Sequence, residues 1–130
     1  MAYVGSMLSL VKDPVEAVRL GMPDSAIAHP ARTIMFTDAA IPLESGLVEY
    51  SFVEPPFYVS ADYPQGRADW VNSPTLHFRH YGRANVLWCD GHITSERWGW
   101  APKENIYGAS NSRWNVGWFG PENNSLFEAM

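Results

Sequence analysis

The sequence predicts an α+β domain that is mostly antiparallel β-sheet, with a short N-terminal helix and a long aromatic-rich C-terminal loop segment. Short runs of β-branched and aromatic residues alternate with turn residues, and ten prolines and ten glycines divide the 130-residue chain into short elements. The dipeptide Asp90-Gly91 lies between two such runs, as in a β-hairpin. The length suits a single domain over residues 1–130.

The composition is that of a folded protein and excludes several kinds of partner. Hydrophobic residues make up 46% of the chain and charged residues 18%, which argues against disorder throughout. The net charge of −5 and the lack of any basic run argue against nucleic acid and against a polybasic membrane contact. No apolar stretch approaches the roughly 18 residues of a spanning helix, and residues 4–11 lack the basic leader of a secretory signal. We therefore expect no membrane contact from this chain itself.

The first half of the chain predicts one helix and two strands. Asp13 and Pro14 suit an N-cap and a first helical position, which predicts a helix over 14–20. The β-rich run 32–38 predicts a buried strand that ends at the Asp38 carboxylate. Residues 47–53 alternate as a second strand does, after a turn at 42–46, and we expect residues 61–72 to form the longest loop in the middle of the chain.

The second half predicts a three-stranded meander. Residues 75–79 form its first strand, and residues 84–89 and 92–98 form a hairpin. Because Asp and Gly both tolerate positive φ, Asp90-Gly91 predicts a two-residue type I′ turn. Beyond the hairpin, residues 99–120 are rich in tryptophan and glycine without periodicity, and we expect them to fold back over the sheet.

The hairpin carries a resemblance to a known family. The thirteen residues concerned read His80-Tyr81-Gly82-Arg83-Ala84-Asn85-Val86-Leu87-Trp88-Cys89-Asp90-Gly91-His92. They resemble the signature of the bacterial prepilin-type processing-associated domains, in which a histidine, nine residues and Asp-Gly follow in order (H-X9-DG). The signature positions here are His80, Gly82, Asn85, Asp90, Gly91 and His92. Residues 29–38 are similar to an upstream segment of the same family, an apolar strand that ends in Asp.

The resemblance implies a pilin-like role. Members are non-enzymatic structural subunits of type II secretion or type IV pilus assemblies, with a sheet domain behind an apolar helix that a prepilin peptidase processes. The resemblance therefore implies an extracytoplasmic location and pilin-like or secretion-system partners. This sequence lacks the cleavage site and the apolar helix of the family. We expect it to be the soluble C-terminal part of a longer precursor or a form that has lost the assembly helix, and we do not expect it to polymerise alone.

The histidines and carboxylates near the hairpin contain the residue types of a metal site. His77, His80, Asp90 and His92, with Asp38, have the ligand types of zinc. A strand between His80 and Asp90 would separate them by about 15 Å at 3.3 Å per residue, so the favoured interpretation is a turn-forming Asp90 and hydrogen-bonded histidines.

Calcium is a separate alternative, because some pseudopilins similar to this chain hold a calcium ion in a loop. The loop carboxylates that could serve are Asp62, Asp69 and Asp90, although no D-x-D-x-D-G pattern supports any of them.

An enzyme is not predicted. The sequence has no G-x-S-x-G motif and no phosphate-binding glycine loop, and its single cysteine, Cys89, lies in an apolar run typical of an inert buried thiol. The alternative to a structural subunit is a carbohydrate- or ligand-binding module, since exposed tryptophans stack on sugar rings. Its candidate surface comprises Trp70, Trp98, Trp100, Trp114 and Trp118.

Overall fold

The structure, a computed structural model, describes residues 2–4, 24–60, 62–63 and 65–127. The strands of this part are β1 (Ala2–Val4), β2 (Ile34–Thr37), β3 (Ala40–Leu43), β4 (Gly46–Glu49), β5 (Phe52–Val53), β6 (Leu76–His77), β7 (Arg83–Trp88), β8 (Ile93–Arg97) and β9 (Val116–Gly117). The helices described are single 3-10 turns at Asp24–Ala26, Pro30–Arg32 and Ser112–Trp114. None of them has the length or the apolar character that a bilayer crossing requires. The predicted helix 14–20 lies outside the described residues.

The strands form one larger sheet and two small ones. The larger sheet has the order β5-β1-β2-β7-β8, and β3-β4 and β6-β9 form two-stranded sheets. All pairings in these sheets are antiparallel except that of β1 with β5. The mostly antiparallel sheet of the predicted α+β class is therefore confirmed for the described residues.

Strand β2 lies where a buried strand is predicted over 32–38, but it is not buried throughout, since Met35 is 43% exposed. The strand pairs with β7, and the register shifts between Ile34 and Phe36. Both Ile34 and Thr37 are buried, three positions apart, although alternate residues of a regular strand face the same side. The extra residue at the irregularity explains this, because a bulge changes which face the following side chains point to.

The predicted hairpin is present as β7 and β8, but its turn is of another type. Gly91 has a φ of +93°, whereas Asp90 does not have a positive φ. The Trp88 backbone N–H donates to the carbonyl of His92 (3.0 Å) and the Gly91 N–H to that of Trp88 (2.9 Å). The turn is therefore a three-residue loop with glycine in the left-handed position, and the type I′ prediction is wrong because Gly91 alone supplies the positive φ.

The predicted meander is also wrong. Strand β6 pairs with β9, Leu76 opposite Gly117, and the strand beside β7 is β2. The predicted strand 47–53 is divided into β4 and β5, which belong to different sheets.

Pro42 lies in a strand where a turn was predicted. It belongs to β3, opposite Leu47 of β4, and the turn falls on Glu44 and Ser45 instead. Proline is tolerated because, within the described residues, β3 has a partner strand only on the β4 side, so no strand on its other edge requires an N–H from position 42.

The core lies where the larger sheet meets the folded-back C-terminal segment. Trp118 is fully buried and its indole N–H donates to the Glu54 carbonyl (2.8 Å), 64 residues away in sequence. The Trp100 ring packs on it with centroids 4.8 Å apart, and Phe119 contacts Trp88 edge-on. The expectation that the aromatic segment covers the sheet is confirmed.

Candidate functional site

The two segments that resemble the pilin-like family meet at Asp38. Asp38 directly follows β2, and His80 lies just before β7, so the pairing of these strands brings the two residues together. The Nε2 atom of His80 is 3.1 Å from Oδ2 of Asp38, and the backbone N–H of Asn85 donates to the same oxygen (3.1 Å). Asp38 therefore links the upstream segment to the start of the signature.

A tight turn orients His80 for this contact. Tyr81 and Gly82 both have positive φ, 55° and 78°. The backbone N–H of Arg83 donates to the His80 carbonyl (3.1 Å), and the His80 N–H donates to that of Arg83 (2.9 Å). Two residues of positive φ between reciprocal hydrogen bonds are the features of a type I′ turn, so the signature contains this turn at 81–82 and not at 90–91.

Arg79 forms hydrogen bonds with two polar side chains beside this turn. Its guanidinium makes a two-pronged contact with Glu49 (3.0 and 3.2 Å) and holds the pKa of that exposed carboxyl below its usual range. Its Nε–H donates to Nδ1 of His77 (3.1 Å), so this nitrogen must be unprotonated. Burial, and then the Arg79 charge, lower the pKa of His77 accordingly.

The other end of β7 carries a second local pair. Oδ1 of Asp90 accepts a hydrogen bond from the His92 backbone N–H (3.0 Å) and contacts the His92 ring at Nδ1. These contacts lower the pKa of Asp90. The His92 ring stacks on Trp88, with centroids 5.6 Å apart. Each signature histidine thus has a carboxylate of its own, one before β7 and one after it.

The predicted metal ligands are distributed over separate contacts. Among residues 2–4, 24–60, 62–63 and 65–127, no group of three or more His, Cys, Asp or Glu side chains is placed to hold an ion. His80 pairs with Asp38, and His92 with Asp90. Of the calcium candidates, Asp69 is bound through both oxygens by Arg67, and Asp62 is exposed. Calcium binding stays a prediction of the resemblance.

The five tryptophans do not form one surface. Trp118 is fully buried, and Trp100 packs against the core with it. The indole of Trp98 donates to the Val116 carbonyl (3.1 Å), and that of Trp114 lies beneath the Arg113 guanidinium. Trp70 is the most exposed of the five, at 54%. Trp118 therefore cannot belong to the candidate ligand surface, because it is buried, and Trp70 lies apart from the others in a cleft.

This aromatic cleft is a site-like feature that sequence reasoning missed. It encloses about 620 Å³. Its lining comprises Ile41, Tyr50, Glu54, Tyr58, Trp70, Val71, Asn72, Ser73, Thr75, Pro102, Glu104, Asn105, Ile106 and Tyr107. A volume within the few hundred to a thousand cubic ångströms of ligand sites, with aromatic walls and a few polar groups, is typical of small-molecule binding.

Backbone hydrogen bonds fix the walls of the aromatic cleft. Tyr58 and Trp70 are joined by a bond from the Tyr58 N–H to the Trp70 carbonyl (3.0 Å), and their rings lie 5.3 Å apart. On the other wall, Oδ1 of Asn105 accepts from the Tyr107 N–H (3.0 Å), and its Nδ2 donates to the Pro42 carbonyl (2.6 Å). Asn105 therefore ties the Tyr107 loop to β3.

Glu54 lines the aromatic cleft, and its acidic side chain is partly buried there. It follows β5, and burial raises the pKa of its carboxyl. Burial, and then the nearby Glu54 charge, raise the pKa of Tyr50 as well. One feature of the sequence marks this site: Glu54 and the double proline after it lie between two pairs of aromatic residues, Tyr50 with Phe52 and Phe57 with Tyr58. The sequence does not show which aromatic side chains converge on Glu54.

Comparison of the chain with protein-family models, with curated proteins and with solved structures returns no match.

Proposed function

We propose that this protein is a pilin-like structural subunit of a cell-envelope secretion or pilus assembly, without catalytic activity. The observation that carries the proposal is the contact of His80 with Asp38 (3.1 Å). It joins the two segments whose sequences resemble the family, which are far apart in sequence. Two independent resemblances that meet at one side-chain contact are better explained by a shared fold than by chance.

The roles of the signature residues support a structural subunit. Gly82 and Gly91 supply positive φ in the turns at the two ends of β7. His80 holds the first of these turns to β2, and Asp90 pairs with His92 at the second. Contacts of this kind hold the turns at the two ends of β7, which is the role expected of residues that specify a fold.

The placement of the signature hairpin also suits assembly. Strand β8 is an outer strand of the larger sheet, and within the described part of the chain it pairs with β7 alone. An outer strand offers unpaired backbone groups to a neighbouring subunit. The outward side chain of Ile93, 66% exposed, adds an apolar contact there.

The test is processing and location in the source organism. The protein carries an epitope tag in the exposed turn at Glu44 and Ser45, and cells with and without the prepilin peptidase gene are compared. We expect the tagged protein in the envelope or sheared surface fraction of normal cells, and a heavier, unprocessed form in peptidase-deficient cells. A cytosolic protein of equal mass in both strains would contradict the proposal.

A contact test at β8 complements it. In a Cys89→Ser background, Ile93→Cys should give a disulfide-linked or crosslinked adduct with an envelope subunit in cells. Ser125→Cys, also exposed but distant in sequence from β8, is the matched control. Equal adduct formation by both variants would argue against β8 as the contact.

A further inference from the structure

The charged side chains that line the aromatic cleft are all acidic. Two glutamates, Glu54 and Glu104, line it together with tyrosines and Trp70, and none of its lining residues is Lys, Arg or His. An anionic ligand would therefore meet repulsion without compensation. The cleft suits a ligand that is neutral or positively charged.

Among the described residues, the Glu54 carboxyl lacks a counter-charge. In the part of the chain that the structure describes, no side chain forms an ion pair with it or donates a hydrogen bond to it. Its backbone is fixed on both sides, because the N–H donates to Oγ1 of Thr75 (3.1 Å) and the carbonyl accepts from the Trp118 indole (2.8 Å). A carboxylate that is held in a partly buried place without a partner is best satisfied by a cation from outside.

Aromatic side chains line the same cleft as this carboxylate. Tyr50 and Tyr107 line the cleft with Glu54, and burial and then the nearby Glu54 charge raise the pKa of Tyr50. Trp70 and Tyr58 form the opposite wall with their rings 5.3 Å apart. Aromatic faces attract cations through the negative potential of the ring, and most strongly when the cation is a bulky, weakly hydrated ammonium group.

We propose that the aromatic cleft binds an organic cation, an alkylated ammonium group with a small polar or apolar body. The ammonium group lies against Glu54 and the aromatic faces, and Asn72, Ser73 and Glu104 are available to the rest of the ligand. A neutral sugar would use the same rings but would leave Glu54 uncompensated. This site does not depend on the proposed assembly role, since it lies outside the signature hairpin.

The test compares two probes of the same shape and different charge. Choline and its neutral isostere 3,3-dimethylbutan-1-ol are titrated into the purified protein, and binding is followed by tryptophan fluorescence and by NMR shift changes. We expect choline to bind with a Kd on the order of 1 mM, a value suited to a small ligand in an open site. We expect the alcohol to bind at least about tenfold more weakly, since it loses the charge interaction.

Variants locate the binding in the cleft. Glu54→Gln should weaken choline about tenfold and leave the alcohol unchanged, and Trp70→Ala should weaken choline severalfold through the lost cation–π contact. Glu44→Gln makes the same change of net charge at an exposed turn, and Tyr81→Ala removes a fully exposed ring outside the cleft. Both controls should bind choline as the unmodified protein does.

Three results would overturn the proposal. The first is equal binding of choline and the alcohol, and the second is an unchanged choline affinity in a folded Glu54→Gln variant. The third is an absence of saturable choline binding up to about 50 mM, far above the expected Kd. Saturable binding of chito- or cello-oligosaccharides in place of choline would assign the cleft to neutral sugars and likewise overturn the cation class. None of these results bears on prepilin processing or on location in the envelope.

Discussion

Glu54 shows at the residue scale how a site can oppose stability. Burial raises the pKa of its carboxyl, so the native state binds a proton more tightly than the unfolded chain does. The stabilisation from this proton is fully present below the unfolded pKa, about 4.3, and is lost as the pH rises through the higher folded pKa. At neutral pH the ionised Glu54 therefore destabilises the fold, as is common where a group is kept for binding.

Glu54→Gln should accordingly raise the melting temperature at pH 7. Below about pH 4 the two proteins should converge, because Glu54 is then protonated in both the native and the unfolded states. Thermal unfolding followed by circular dichroism from pH 3.5 to 8 measures the difference. The exposed-site variant Glu44→Gln is the control and should follow the unmodified protein. A melting temperature lowered by Glu54→Gln at pH 7 would contradict the burial argument.

His77 has the opposite dependence on pH. Its folded pKa is lowered, first by burial and then by Arg79, so the unfolded chain binds the proton more tightly. The stability contributed by neutral His77 is present above the unfolded pKa, about 6.5, and is lost as the pH falls below it. Protonation would also end the hydrogen bond that Nδ1 accepts from Arg79.

We therefore expect the free energy of unfolding to fall between pH 7.5 and 5.5, and His77→Gln to reduce this slope. Glutamine cannot take up a proton, and its carbonyl oxygen can still accept from Arg79. Urea unfolding at several pH values gives the slope directly. If the variant and the unmodified protein have the same slope across this window, His77 is not its origin.

Among the elements, the signature hairpin depends on the conformation of its turn. Gly91 has a φ of +93°, and nothing lies within 4 Å of the place a Cβ would occupy. A substitution there meets backbone strain and no steric clash.

Gly91→Val should destabilise the protein by about 2 kcal/mol, because a β-branched residue is strongly disfavoured at positive φ. Gly91→Asn is the matched variant, since asparagine tolerates the left-handed region, and it should cost about half as much or less. Chemical denaturation of both variants measures the difference. Equal losses would show that bulk at the loop, and not φ, sets the cost.

The same elements show what a sequence pattern can predict. The strand at 34–37 and the β7–β8 hairpin were predictable, because their β-formers are local and a single Asp-Gly separates the hairpin strands. The pairing of β6 with β9 was not, because short strands of two residues carry no periodicity and their partners lie about forty residues apart. The turn predicted to begin at Pro42 is wrong for a physical reason: proline favours turns, but it is also tolerated in a strand that lacks a partner strand on one edge.

At the scale of the whole molecule, a buried amide joins distant parts of the chain. Asn124 donates from Nδ2 to the Phe57 carbonyl (2.9 Å) and accepts from the Phe57 N–H (2.8 Å), 67 residues away. It is almost completely buried. A Cβ at Gly66 would lie 2.5 Å from the same amide nitrogen, so the loop also needs glycine there.

Asn124→Ala should cost about 2 to 3 kcal/mol, because it leaves both backbone groups of Phe57 without a partner. The melting temperature should fall by roughly 5 to 10 °C. The neighbouring Asn123→Ala, whose exposed side chain accepts only from the nearby Ser125 N–H (2.9 Å), should lose much less. Similar losses in both variants would show that the link to Phe57 contributes little.

The candidate sites differ in how far the sequence could predict them. The signature residues were identifiable because they lie in one run of thirteen positions. The aromatic cleft was not, because its walls come from β3, from the loops on both sides of residue 58, and from the segment around Tyr107. Its assembly depends on long-range contacts such as that of Asn105 with Pro42, 63 residues apart, which no local pattern encodes.

The pairing of β2 with β7 has a consequence for how the chain folds. The hydroxyl of Thr37 donates to the Asn85 carbonyl, 48 residues away, and the Trp118 indole donates to the Glu54 carbonyl, 64 residues away. Because the entropy of closing such long loops must be lost before their contacts form, folding should be slow for a chain of this size. During synthesis on the ribosome, β2 would remain without its partner strand until β7 emerges, and its unpaired edge would be prone to aggregation in this interval.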